Sequence, residues 1–349
     1  MPLSALEMPQ VDPTPIFEYF RGNYATELLT AAVSAFDVFG RLAAAPLTED
    51  DLRGELGLEA RPATVLFTAL KAMGLLVKNE RGQLALTPLS REHLVPGSPF
   101  DVGDYVGLAA ESPGVKEMVA HLKSNRPAGA TDGGGAAFIF REGIESAMER
   151  EASARHLTLA LAGRAKNAAP HLAKAVSFEN SATLLDVGGG TGIYSIACLQ
   201  RHPHLRAVVW DRPEVLKVAR EMAENYGVAD RLECRPGDMF ADPVPHADVV
   251  LLSNILHDWD VPQCRQLIQR CAKSLPSGGR LLIHDVFLND ALDGPLPVAL
   301  YSAALFTLTE GRAYSAAEYR DWLREADLIV GEVMPTLIHC GVLAGRRDG

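Results

Sequence analysis

The chain has 349 residues, about two domains' worth by length, with 33 Lys+Arg against 44 Asp+Glu and a net charge of −11. That acidic excess argues against nucleic acid or an anionic membrane as the main partner, because both reward a basic face. A hydrophobic share of 48% with 22% charged residues excludes bulk disorder, and no apolar run approaches the roughly 18 residues of a membrane span.

The N-terminus has neither a basic segment nor a long apolar one, so no export is expected. Pro2, Pro9, Pro13 and Pro15 mark the first dozen residues as a loose arm. Between Phe17 and Leu42, the residues Leu28, Leu29, Ala32, Val33, Phe36 and Phe39 recur at helical spacing and predict two short helices. Thr48 with Asp51 three residues on is a helix start, and Gly57 is its stop. A second helix runs from about Arg61, with Pro62 in its first turn, through Leu66, Leu70 and Met73 to Gly74. Leu75 to Lys78 and Gln83 to Leu86, joined by Asn79-Glu80-Arg81-Gly82, read as a hairpin. Helix, helix, hairpin is a winged-helix outline, a shape shared with DNA-binding modules. Residues 1–100 nevertheless hold 8 Lys+Arg against 12 Asp+Glu, and the second helix offers only Arg61 and Lys71 to phosphates. A winged helix used for dimerisation or as a pocket wall is the expectation.

From Asp101 to Phe178 the pattern is helical, interrupted at Gly129-Ala130-Thr131-Asp132-Gly133-Gly134-Gly135. No Gly-Lys-Ser/Thr follows these glycines, so a surface loop rather than a P-loop is expected. Ile144 to Val176 reads as a long helix or a pair, with Pro170 marking a break. From Ser181, strand-like runs alternate with amphipathic helices: Thr183 to Val187, Ala207 to Trp210, Arg231 to Arg235, Ala247 to Leu252 and Arg280 to Val286. Ile329 to Met334 and Leu337 to Ala344 close the chain as an antiparallel hairpin. The fold class is therefore α/β, an open and mostly parallel sheet behind a mostly helical N-terminal region. Three consecutive parts are expected: 1–100, a helical bridge over 101–176, and a sheet domain over 177–349. Cys198, Cys234, Cys264, Cys271 and Cys340 are odd in number and lack a C-x-x-C, which fits reduced thiols in a cytoplasmic protein.

The first strand of that sheet ends in Leu185-Asp186-Val187-Gly188-Gly189-Gly190-Thr191-Gly192 and opens a helix. Such a loop brings a ligand to the backbone at the carboxyl end of the sheet. The dinucleotide pattern G-x-G-x-x-G fails, because Ile193 stands where the third glycine belongs. Asp186 would repel a pyrophosphate but suits a ligand carrying an ammonium and a sulfonium. Asp211 ends the next strand, 21 residues past Gly190, placed for the two ribose hydroxyls. By itself it says only that the ligand is a nucleoside. Gly237-Asp238-Met239-Phe240 follows the third strand, an acid and an apolar pair suited to an adenine amino group and ring. Each acid alone is more often a strand-end turn residue than a ligand, but three at consecutive strand ends point to S-adenosylmethionine.

Together with Asp211-Arg212-Pro213, Leu256-His257-Asp258-Trp259 and Pro276-Ser277-Gly278-Gly279, these motifs resemble the two-domain family of S-adenosylmethionine-dependent O-methyltransferases. That family includes the plant caffeate and isoflavone enzymes, acetylserotonin O-methyltransferase and bacterial natural-product enzymes, and the likeness covers nearly the whole chain. It implies a Rossmann-like methyltransferase sheet, methyl transfer to a hydroxyl of a small aromatic molecule, and a homodimer through the N-terminal domain. His257, beyond the fourth strand, is then the general base, since an imidazole near pKa 6.5 accepts a phenol's proton at cellular pH. The resemblance assigns orientation of that base to two acids. Asp285 matches one; Ala313 stands at the other's place, with Glu310 three residues upstream as its substitute. The family's basic residue after the fourth strand is replaced by Ser253 or Asn254, both polar and both able to touch cofactor. Met148 matches a methionine beside the acceptor. Trp259 either floors the pocket or packs behind His257, and Tyr301, Leu305 and Phe306 form either the opposite wall or core. No metal is expected, because His257 beside Asp258 is poor ligand spacing and no other cluster completes a site. Carbon or nitrogen methylation, another use of the bound cofactor, and a cofactor-responsive regulator are the alternatives.

Overall fold

The computed structural model describes residues 2–127 and 151–349, with side chains from Arg155 onward in the second stretch. Met148 and the glycine cluster at 129–135 lie outside the described residues. In chain order the first stretch gives α1 (Thr14–Phe20), α2 (Asn23–Thr30), a π-helical turn (Ala31–Ala35), α3 (Val38–Ala44), α4 (Glu49–Leu56) and α5 (Ala60–Ala72). The hairpin β1 (Leu76–Lys78) and β2 (Leu84–Leu86) follows, then α6 (Pro88–His93), α7 (Gly103–Gly107) and α8 (Pro113–Ser124). The second stretch gives α9 (Glu151–Ala175), β3 (Thr183–Val187), α10 (Ile193–Arg201), β4 (Arg206–Asp211), α11 (Pro213–Asn225), β5 (Leu232–Pro236) and β6 (Val249–Ser253). It ends with α12 (Val261–Ser274), β7 (Arg280–Leu288), α13 (Leu296–Leu308), β8 (Tyr314–Ser315), α14 (Ala316–Glu325), β9 (Leu328–Val330), β10 (Met334–Pro335) and β11 (Cys340–Arg347).

These elements form two compact units that are discontinuous in sequence. Among the described residues one unit takes 2–15, 151–287 and 316–349, and the other takes 16–127 and 288–315. In the second unit, the Thr48 hydroxyl accepts the Asp51 N–H at 3.1 Å and Gly57 ends α4 at φ +63°, the start and stop that the sequence signals. The segment read as two helices is three, joined by the π turn. The core of this unit includes Leu28, Phe39, Leu52, Leu66, Leu70 and Phe306. Phe306 is completely buried with the Arg61 guanidinium 4.7 Å from its ring centre, so its ring serves the core. Arg61 is itself buried and donates to the Asn125 Oδ1 and to the Asn125, Thr309 and Gly311 carbonyls, which is structural work for one of the two cations weighed for phosphate binding.

In the first unit the strand order is β10-β11-β7-β6-β3-β4-β5. Neighbours from β7 to β5 run parallel, whereas β11 runs antiparallel to β7, β9 and β10. The order therefore reverses between β3 and β6, and ligands of open α/β sheets bind at the carboxyl ends beside such a reversal. Helix α9 runs unbroken through Pro170. A mid-helix proline costs about 3 kcal/mol, and here Ala168, Ala169, Leu172 and Ala173 are buried around it, so packing holds the helix. The first residues are not a loose arm: Leu3 N–H donates to the Asn225 carbonyl, Ala5 N–H to Gln200 Oε1, and the Ala5 side chain joins the sheet unit's core.

Candidate active site

The carboxyl end of β3 places Asp186 beneath the glycine loop. Its Oδ2 accepts the Ser195 hydroxyl at 2.7 Å, while its Oδ1 is buried with no hydrogen-bond partner. Burial pushes the carboxyl up to about 7, against the Ser195 hydrogen bond. Such an acid regains its charge when a cation comes near. Above it, Gly188 has φ +64° and a Cβ there would fall 2.5 Å from Ile255 Cδ1, so the loop lies directly on the turn after β6. Gly190 donates its N–H to Asp211 Oδ2 at 2.9 Å and Arg212 donates to Asp211 Oδ1 at 2.7 Å. Burial raises the Asp211 carboxyl and those two donors oppose it.

At the tip of β5, Gly237 is set by contact: a Cβ would fall 2.1 Å from the Trp210 indole nitrogen. Asp238 is exposed, and its Oδ1 accepts the Phe240 N–H at 2.7 Å, which shapes the tip. Met239 approaches the loop, its Cε 3.8 Å from where a Gly188 Cβ would stand. Arg270 fixes the Met239 carbonyl at 3.0 Å. Phe240 meets Trp259 edge-on at 4.8 Å between ring centres, so Trp259 packs on the β5 tip.

The end of β6 and the turn after it carry Ser253, Asn254 and His257. Ser253 and His284 join through Oγ and Nδ1 at 2.9 Å, and burial pushes His284 down to about 3, so it is a neutral acceptor or donor. Asn254 adopts φ +56° and its Oδ1 accepts from Arg164 of α9 at 2.7 Å. His257 follows in a 3-10 turn, Leu256–Asp258, that the buried Cys264 thiol ties down through the Leu256 and Trp259 carbonyls. His257 Nδ1 lies 2.5 Å from Asp285 Oδ1, and the same oxygen accepts the Val286 N–H at 2.8 Å. An ionised carboxylate only accepts, so Nδ1 carries the proton and Nε2 the lone pair. Burial pulls the imidazole down, but Asp285 and Asp258 together hold it above its ordinary 6.5. Asp258 Oδ1 stands 3.7 Å from Nε2, and burial raises that carboxyl to about 7. Tyr319 of α14 donates its hydroxyl to Asp285 Oδ2 at 3.2 Å.

Asp186, Gly188, Gly190, Asp211, Arg212, Gly237, Asp238, Met239, Phe240, Ser253, Asn254, His257, Trp259 and Asp285 thus all belong to the sheet unit. Glu310, Tyr301 and Phe306 belong to the helical one. Tyr301 is half-buried there with the Arg21 guanidinium 3.6 Å from its ring centre, and Glu310 is half-buried past the end of α13. Tyr319, Asp258, Arg164 and His284 were missed as site residues. Nothing local in the sequence singles them out, apart from Asp258 adjoining His257. Among the described residues no group of three or more His, Cys, Asp or Glu is arranged to hold a metal.

A family model described as an O-methyltransferase domain matches residues 116–328. The chain belongs to the O-methyltransferase family. It is 36% identical over 320 residues to the 3-hydroxy-5-methyl-1-naphthoate 3-O-methyltransferase of Streptomyces sahachiroi, covering 90% of this chain and 89% of that one. A crystal structure of an O-methyltransferase family 2 protein from Planctomyces limnophilus in complex with apigenin superposes with a TM-score of 0.90. It is 49% identical and matches 99% of both chains. Human N-acetylserotonin methyltransferase, solved with S-adenosylmethionine, shares the fold at a TM-score of 0.60 and 22% identity, covering 96% of this chain and 97% of that one. As a family member, the chain is an S-adenosylmethionine-dependent O-methyltransferase of α/β methyltransferase fold. The glycine loop, the unpartnered Asp186 Oδ1 and the two strand-end acids beyond it fit that cofactor's cationic, nucleoside character. Among the described residues no helix is long and apolar enough to cross a membrane.

Proposed function

We propose that this enzyme methylates a phenolic hydroxyl on a small aromatic molecule, with His257 as general base. The observation that carries the reading is the locked imidazole: Asp285 accepts from Nδ1, which fixes the tautomer whose Nε2 bears the basic lone pair. The His257 turn also packs on the cofactor loop through Ile255 and Gly188. The aromatic class is supported by the relative whose name puts the methylated oxygen on a naphthoate ring.

Under this reading the Gly188 to Gly190 backbone, Asp186 and Asp211 hold the amino-acid and ribose ends of S-adenosylmethionine, with Arg212 fixing Asp211. Gly237, Asp238, Met239 and Phe240 take the adenine, while Ser253 and Asn254 line the side nearer the base. The bound cofactor supplies a sulfonium-activated methyl group. His257 Nε2 takes the phenolic proton as the oxygen attacks, and the imidazolium is stabilised by Asp285 and Asp258. The rest is alignment, because a hydroxyl held in line with the methyl carbon avoids most of the entropy of encounter. We further infer that the helical unit is a winged-helix dimerisation domain. The helix α1 buries none of its side chains, and Ile16, Tyr19 and Phe20 are exposed at 69%, 83% and 80%, an apolar surface that a second copy would cover. Light scattering on a Tyr19→Lys, Phe20→Lys double variant should then report a monomer; a retained dimer overturns that part.

The activity is tested with methyl-labelled S-adenosylmethionine and a panel of hydroxynaphthoates and other phenols, each beside its O-protected analogue. Label should appear on oxygen, and only with the free hydroxyl. Label on carbon or nitrogen, or equal transfer to the protected analogues, would overturn the reading.

A further inference from the structure

We propose that Tyr319 is a positioning residue of the base, holding the Asp285 carboxylate from α14. The proposal rests on the assignment of His257 as base.

Asp285 is buried and faces three donors. Its Oδ1 takes His257 Nδ1 at 2.5 Å and Val286 N–H at 2.8 Å; its Oδ2 takes the Tyr319 hydroxyl at 3.2 Å. A buried carboxylate is costly unless it is paired and hydrogen-bonded, and each oxygen has lone pairs to satisfy. The strand can supply Oδ1 through its own backbone but nothing on β7 reaches Oδ2. Without a donor there, Oδ2 is a buried acceptor without a partner, and the carboxylate keeps only the two anchors on Oδ1. Tyr319 itself is rigid. It is completely buried, and its ring meets Phe287 and Trp322 edge-on at 5.6 and 5.4 Å. The ring is therefore placed by packing, independently of the hydroxyl. Among the described residues, the charged groups that act on the imidazole include Asp285 on β7, Asp258 on its own turn and Arg164 on α9, and the Tyr319 hydroxyl acts through the first of them.

The test is the pH profile of kcat for the holoenzyme turning over a phenol accepted in the labelling screen. Tyr319→Phe keeps the ring and removes the donor. Charge then concentrates on the remaining side of the carboxylate, so the acid limb of the profile should move to higher pH. The plateau should fall about tenfold, the size of one hydrogen bond to a charged group, while S-adenosylmethionine affinity by calorimetry stays unchanged. In an Asp285→Asn background the same substitution should add nothing. An unmoved limb and plateau, loss of cofactor affinity, or an effect that adds fully to Asp285→Asn would overturn the proposal. Should Tyr319→Phe fold poorly, fluorotyrosine at 319 keeps the size and strengthens the donor, and the limb should then move to lower pH; no movement again overturns it. Retained turnover in His257→Ala would instead refute the base assignment, so the two failures are distinguishable.

Discussion

The cofactor edge and the base centre lie at the same end of one sheet, yet they are built differently. At the cofactor edge most partners are near in sequence: Asp238 is held by the Phe240 N–H two residues on and Asp186 by Ser195 nine residues on. Asp211 is held by the adjoining Arg212 and, 21 residues away, by Gly190 of the neighbouring loop. At the base centre the partners come from afar. Asp285 is 28 residues beyond His257, and Tyr319 is 34 beyond Asp285. Under the proposed roles, cofactor binding rests mostly on partners near in sequence, whereas aiming the proton acceptor takes three elements locked together.

That contrast can be broken from either side. The largest effect is expected from His257→Ala, which should lower turnover at pH 7.5 by about 10³ and leave S-adenosylmethionine affinity near normal by calorimetry. A parallel loss of affinity would mean that the two regions are not separable. Gly237→Ala should do the converse. The added methyl meets the rigid Trp210 indole, so the β5 tip must shift; overpacking of this kind costs about 1–3 kcal/mol, read as a lower denaturation midpoint. Cofactor affinity should fall with it while the acid limb of the pH profile keeps its place.

The smallest effect concerns Asp186. Its folded-state carboxyl is raised from 3.8 to about 7, so the folded protein holds a proton that the unfolded chain releases. Its contribution to stability therefore falls as pH rises through that window in the cofactor-free protein. Asp186→Asn removes this dependence. The difference in Tm between variant and parent should move in the variant's favour between about pH 4 and 7, and a constant difference would contradict it.

The same contrast explains what could be read without coordinates. Thr48, Gly57 and the glycine loop announce themselves because their roles are settled within a few residues. The three acids and His257 stand out for another reason, their place at or just beyond strand ends that apolar runs locate. Tyr319 could not be found that way. In sequence it is one aromatic residue on an amphipathic helix, and only the return of α14 to the sheet brings its hydroxyl to Asp285. Pro170 misled for the opposite reason, since its local rule is overridden by tertiary packing of α9. The grouping of residues 288–315 with the N-terminal helices is likewise a matter of long-range contact that no local pattern encodes.

The most direct test of His257 as proton acceptor is the pH dependence of single-turnover methyl transfer in the parent and in His257→Ala, with saturating labelled cofactor. In the parent the rate should rise through an acid limb above 6.5, since Asp285 and Asp258 hold the imidazole above its ordinary value, and then level off. In the variant it should stay low and climb only as the phenol ionises by itself, near pH 10 for an ordinary phenol. A variant that keeps the parent's limb and plateau would contradict the account.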